Sequence, residues 1–142
     1  MFYRDAVAQY LPGCEQERAE KELMLQWIDE YPQTILTRQN EYAHLTASAM
    51  VFDPDMQHVL MIYHNIYKSW AWMGGHADGE TDLLKVAERE AKEESGISEI
   101  KPVSEDILSI EIVTVSGHEK RGKYVPSHLH LNVTYLFEAP ED

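Results

Sequence analysis

Three carboxylates, Glu90, Glu93 and Glu94, fall within a short stretch rich in helix formers. At about 100° per residue, Glu94 lies about 40° from Glu90 on a helix and Glu93 about 60° to the other side, so all three share one face. Like charges at these spacings cost roughly 0.2–0.5 kcal/mol per pair on an exposed helix, a cost that a bound divalent cation would reverse. Clustered hard oxygen donors suit Mg2+ or Mn2+. The competing reading is a solvated helix face, supported by two i,i+4 pairs of opposite charge, Glu88 with Lys92 and Arg89 with Glu93. What tips the balance toward chemistry is the segment before the helix, Gly74-Gly75-His76-Ala77-Asp78-Gly79-Glu80. Glycines let backbone groups approach an ion or a phosphate that a Cβ would keep away.

The elements that must position these residues are readable from periodicity. A Gly-rich loop over 74–79 leads into a helix from about Thr81 to Ser95, closed by Gly96 as an αL cap. Thr81 or Asp82 is placed to be its N-cap. Upstream, His44 to Phe52 and Gln57 to Tyr67 are β-rich runs around the turn residues Asp53-Pro54-Asp55, which predicts a hairpin, and Trp70 to Met73 adds a short strand. Downstream, Ile107 to Ser116 and His128 to Glu138 read as strands, the second with Leu129, Leu131, Val133, Tyr135 and Phe137 on one face. The polar stretch between them, 117–127, reads as a loop placed where it could touch a substrate. At the other end, Glu15 to Tyr31 is an amphipathic helix with Leu23, Trp27 and Ile28 on one face and Pro32 as its stop.

Composition bounds the function. The chain has 142 residues, of which 44% are apolar and 26% charged, the usage of one globular domain with a packed core. Its net charge of −13 repels nucleic-acid backbones and anionic membranes unless a cation bridges them, so neither is an expected partner. Cys14 is the single cysteine, which excludes an internal disulfide and a Cys-x-x-Cys metal or redox pair. The N-terminal residues do not resemble a secretory signal, and no apolar run is long enough to span a bilayer. A reducing, cytoplasmic setting is the expectation.

The segment from Gly74 to Ile97, GGHADGETDLLKVAEREAKEESGI, resembles the Nudix box, G-x5-E-x7-R-E-U-x-E-E-x-G-U with U apolar. Its second half, Arg89 to Ile97, matches at every specified position with Ala91 as the apolar residue. The first half is one residue out of register: counting from Gly75, the box glutamate falls on Thr81 and Glu80 precedes it. Met73 stands where many members have proline. The resemblance implies an α/β (α+β) fold, a mixed β-sheet sandwiched between helices, in a single Nudix domain over 1–142. It also implies Mg2+- or Mn2+-dependent hydrolysis of the pyrophosphate bond in a nucleoside diphosphate linked to another group. Box glutamates of the family supply metal ligands and a water-activating base, roles carried here to Glu90, Glu93 and Glu94 without dividing them. Arg89 would orient a carboxylate, and the Gly74 or Gly75 carbonyl would complete the metal shell. Many members carry a final helix after the last strand; the expectation is that the N-terminal helix, or a second subunit in a homodimer, takes its place.

Further candidates for substrate contact are Glu80, His76, Glu119, His128 and His130. His128 and His130 are two apart on one strand face and could reach a phosphate or a metal-bound water, although two histidines without cysteine make a poor zinc site. Glu111, Glu119 and Glu138 could each supply a carboxylate from outside the box. Tyr63, Tyr67, Trp70 and Trp72 could stack on a base, but read first as packing. Two rival functions are a nucleotide sensor without turnover and a relative of isopentenyl-diphosphate isomerase. The intact glutamate set argues against the first, and the distance of Cys14 from the box argues against the second.

Overall fold

The computed structural model describes residues 1–55, 58–60, 62–64, 69–71 and 73–140. Two helices, α1 (Tyr3–Gln9) and α2 (Glu15–Glu30), precede strand β1 (Ala43–Phe52). Short strands β2 (Val59–Leu60), β3 (Ile62–His64), β4 (Ser69–Ala71) and β5 (Met73–His76) lead to helix α3 (Leu83–Ser95). Then follow β6 (Lys101–Pro102), β7 (Ser109–Val115), β8 (His118–Lys120), β9 (Lys123–Val125) and β10 (His128–Glu138). Six strands make a mixed sheet in the order β2-β1-β10-β6, with β5 on β1 and β7 on β10. The expected mixed sheet with helices is therefore present. Its centre is the parallel pair β1–β10, in register from Ala43 opposite Leu129 to Phe52 opposite Glu138.

This register sorts the two faces. Ala43, Leu45, Ala47, Ala49 and Val51 line up with Leu129, Leu131, Val133, Tyr135 and Phe137, and Ile110 and Ile112 of β7 continue the row. These side chains enter one core with Leu83, Val86, Ala87 and Ala91 of α3, Met24 and Ile28 of α2, and Tyr3 and Val7 of α1. Burying the Leu, Ile, Val, Met and Phe side chains among these supplies roughly 1.5–3 kcal/mol each. Over the first part of the pair, before Met50 and Leu136 turn that face apolar, the alternate residues are polar: His44, Thr46 and Ser48 on β1, and His128, His130, Asn132 and Thr134 on β10. Asn132 ties them together, accepting hydrogen bonds from the Thr46 hydroxyl at 2.9 Å and the Ser48 hydroxyl at 3.0 Å.

Several expectations are corrected. The long N-terminal helix is present, but its buried stripe is Met24 and Ile28, while Leu23 is exposed and Trp27 half-buried against Tyr31. The hairpin after β1 forms through β2, its turn held by the Asp53 carboxylate, which accepts from the His58 amide at 3.1 Å. Of the run from Gln57 to Tyr67, the described residues form β2 and β3, and β3 pairs with β4 in a separate two-stranded sheet. Tyr63 opposes Trp70 in that pair, whereas Tyr67 and Trp72 lie outside the described residues.

Gly74, Gly75 and His76 are strand rather than loop. Gly74 lies so close to β1 that a Cβ there would meet the Ala47 carbonyl oxygen and the Ser48 hydroxyl at 2.7 Å. Helix α3 starts two residues later than predicted because Asp82 is its cap, accepting from the Leu84 amide at 3.1 Å. Gly96 closes it at φ 75°, as expected. The stretch read as a polar loop is a hairpin, β8–β9, turned by Arg121 and Gly122 at φ 53° and 78°, the two positive values a tight hairpin turn requires.

Candidate active site

Helix α3 lays its carboxylate face along β5. The Glu90 side chain rests against Gly75, where an added Cβ would come within 2.6 Å of Glu90 Cδ. Only glycine leaves that space. One turn further on, Glu94 Oε1 accepts the Gly74 amide hydrogen at 3.0 Å. The box glycines and glutamates thus interlock: the 3.6-residue repeat brings Glu90 and Glu94 to the same strand, and the strand offers no side chains to obstruct them. Glu90 is half-buried, and Glu93 and Glu94 are exposed. Arg89 Nη2 stands 3.4 Å from Glu90 Oε1, so Arg89 pairs with its neighbour and not with Glu93, whereas the expected Glu88–Lys92 pair forms at 3.3 Å. The structure brings Glu90 and Glu94 to the Cβ-free backbone of β5 but does not gather all three box carboxylates within ligand distance of one another; two hard oxygen donors beside glycine backbone suit a hard divalent cation.

Glu80 is not part of that cluster. Its carboxylate turns back on its own loop and accepts from the Thr81 amide at 2.8 Å, with Asp82 N at 3.5 Å. Glu138 lies at the far end of β10, paired with Lys101 at 3.3 Å. Glu111 Oε1 is 3.4 Å from Asn132 Nδ2 on the polar sheet face. Glu119 stands exposed on β8.

The candidate histidines do come together, and with a fourth that the sequence reading missed. His44, opposite His130 on the parallel pair, packs its ring centroid 5.0 Å from His76, 4.9 Å from His128 and 5.0 Å from His130. Burial, reinforced by the neighbouring Arg38 and His44, pushes His76 down to about 4. Burial, with His76 and His44 adding to it, pushes His130 down to about 3, and burial lowers His44 as well. These rings are therefore neutral at physiological pH. The missed signal was parity: Ala43 to Val51 alternates apolar and polar as strictly as β10 does, which puts His44 on the same kind of face as His128 and His130.

A glycine-paired strand, a capped helix carrying Arg-Glu-x-x-Glu-Glu and a mixed sheet behind them define the class. Residues 43–141 match the model of the NUDIX domain, and the chain belongs to the Nudix family. Members are generally pyrophosphohydrolases and typically depend on a divalent metal. Similar solved structures include the C. elegans Ap4A hydrolase, at 22% identity and a TM-score of 0.44, covering 69% of this chain and 70% of that one. The M. smegmatis Nudix hydrolase RenU shares 16% identity at a TM-score of 0.40, covering 72% of this chain and 63% of that one. Comparison with curated proteins gives no significant match. Among the described residues, no helix is long and apolar enough to cross a membrane.

Proposed function

We propose that this chain hydrolyses the pyrophosphate bond of a nucleoside diphosphate linked to another group, with Mg2+ or Mn2+ as cofactor. The observation that carries the reading is the interlock of Glu90 with Gly75 and of Glu94 with the Gly74 amide, which arranges anionic donors beside open backbone. A bound divalent cation supplies neutralisation of the phosphate charge and a water of lowered pKa.

Glu90, Glu93 and Glu94 would hold that cation, with the Gly74 carbonyl, which the ladder with β1 leaves turned outward, as a neutral donor in preference to that of Gly75. One of the three carboxylates takes a proton from the attacking water as its oxygen bonds to phosphorus and the bridging P–O bond breaks. Arg89 supports this by holding the Glu90 carboxylate, its Nη2 3.4 Å from Oε1.

A product-release assay over nucleoside triphosphates, nucleotide sugars, ADP-ribose, dinucleotides and dinucleoside polyphosphates, run separately with Mg2+ and Mn2+, tests this. Metal-dependent hydrolysis of one class is expected. Calorimetric binding of a nucleotide with no product anywhere in the panel would instead establish a sensor.

A further inference from the structure

On the sheet face that carries the polar residues, His44 of β1, His76 of β5 and His130 of β10 bring ligand-capable nitrogens within 4.8 Å of one another. The mutual ring-centroid distances are 5.0, 5.0 and 4.9 Å, a compact triangle assembled from three strands. Among the described residues, nothing satisfies its centre. His44 is only 5% exposed, and its Nε2 has no hydrogen-bond partner among the described residues. An orphaned polar atom at that depth is costly, and a ligand would relieve it.

Tautomers point the same way. His44 Nδ1 lies 3.2 Å from the Asn40 carbonyl, which can only accept, so Nδ1 carries the hydrogen and Nε2 keeps its lone pair. This is how metal-binding imidazoles are oriented by a backbone carbonyl behind them. His128 is held alike, its Nδ1 2.9 Å from the Pro126 carbonyl, and its Nε2 lies 3.2 Å from His130 Nε2.

We propose that His44, His76 and His130, with His128 at the rim, form a site for a borderline divalent transition cation, Zn2+ foremost, separate from the carboxylate face of α3. Nitrogen donors disfavour Mg2+ here as strongly as oxygen donors favour it at Glu90. An oxyanion is a poorer occupant, because it would face the Nε2 lone pair of His44, whose ring hydrogen is held on Nδ1 by the Asn40 carbonyl. Arg38 does not exclude a cation, since its charge is paired with Asp78 at 3.3 Å. Three histidines leave a fourth position for water or another exchangeable ligand. The bound ion would also tie β5, the strand of Gly74 and Gly75, to β1 and β10.

Metal-stripped full-length protein titrated with Zn2+ by calorimetry tests the site without any assay of turnover. One Zn2+ per chain is expected, with a rise in Tm of about 5–10 °C once free Zn2+ is about a hundredfold above Kd. Binding should survive in the triple variant Glu90→Gln/Glu93→Gln/Glu94→Gln. It should weaken by roughly 100-fold in His76→Gln/His130→Gln with the circular dichroism unchanged. If that double variant does not fold, Co2+ substitution in the wild-type chain decides: intense visible bands of a four-coordinate ion with perturbed histidine resonances support the site. Weak six-coordinate bands overturn it, as does Zn2+ affinity no better than that for Mg2+, or binding lost in the glutamate variant and kept in the histidine one.

Discussion

The carboxylate face of α3 and the histidine cluster are built in opposite ways. The first is local: Gly74, Gly75, Glu90, Glu93 and Glu94 belong to one strand–loop–helix unit, and its carboxylates reach solvent. The second is assembled from positions 44, 76 and 130, is largely withdrawn from water and consists of neutral rings. A local, exposed cluster of like charges holds itself apart until a hard cation enters, whereas a buried cluster of neutral donors is costly only through unmet lone pairs. Proximity of side chains therefore means different chemistry on the two sides of one sheet.

The largest expected effect tests the carboxylate side. Glu93→Gln and Glu94→Gln should each lower metal-dependent kcat by about 100-fold or more, some 2.7 kcal/mol in the barrier, while the fold survives. Steady-state kinetics beside thermal melts check this, and near-wild-type turnover in both variants would sink the box assignment. Next in size is Gly75→Ala. Its Cβ would press on Glu90 Cδ at 2.6 Å and Oε1 at 2.9 Å, so Glu90 must move. A displacement of that order at a reacting centre costs about 10- to 100-fold in turnover. If Gly75→Ala retains full rate, the interlock of strand and helix is packing alone and the contrast between the two regions loses its functional half.

Legibility followed the same division. The helix, its Gly96 cap and the shared face of Glu90, Glu93 and Glu94 could be read because a 3.6-residue period is contained within the sequence itself. Strand β10 was legible from its own alternation, to its last residue. The joining of His44 to His130 was not, because parallel pairing of segments some eighty residues apart leaves no trace in either segment. The Gly74–His76 strand was misread as loop because glycine normally weakens strands; here the missing Cβ is what permits close pairing with β1. The β8–β9 hairpin hid behind an Arg-Gly turn whose charged neighbours look like a loop.

A smaller effect concerns the start of α3, on which the carboxylate side depends. Asp82 caps the helix through the Leu84 amide, and the Met1 ammonium lies 3.3 Å from its other oxygen. Asp82→Ala should cost about 1 kcal/mol in chemical denaturation, whereas Thr81→Ala, without a capping bond of its own, should stay within about 0.5 kcal/mol. Equal losses from the two would show that the cap is shared between them.

The smallest effect is expected at Glu80, the residue that the box pattern leaves one position out of register. A one-residue shift rotates a helical side chain by about 100°, but Glu80 precedes the helix and its direction is set by the loop. The loop turns its carboxylate onto the Thr81 amide at 2.8 Å, away from the face where Glu90 meets Gly75 and Glu94 meets Gly74. A glutamine keeps an acceptor oxygen for that amide and loses only charge. Glu80→Gln should therefore change kcat by less than about threefold and stability by less than about 0.5 kcal/mol. A loss near that of Glu93→Gln, recovered in part by raising Mn2+, would mean that the loop reorganises when the cation binds and swings Glu80 into the shell, making the carboxylate side less preformed than the histidine side.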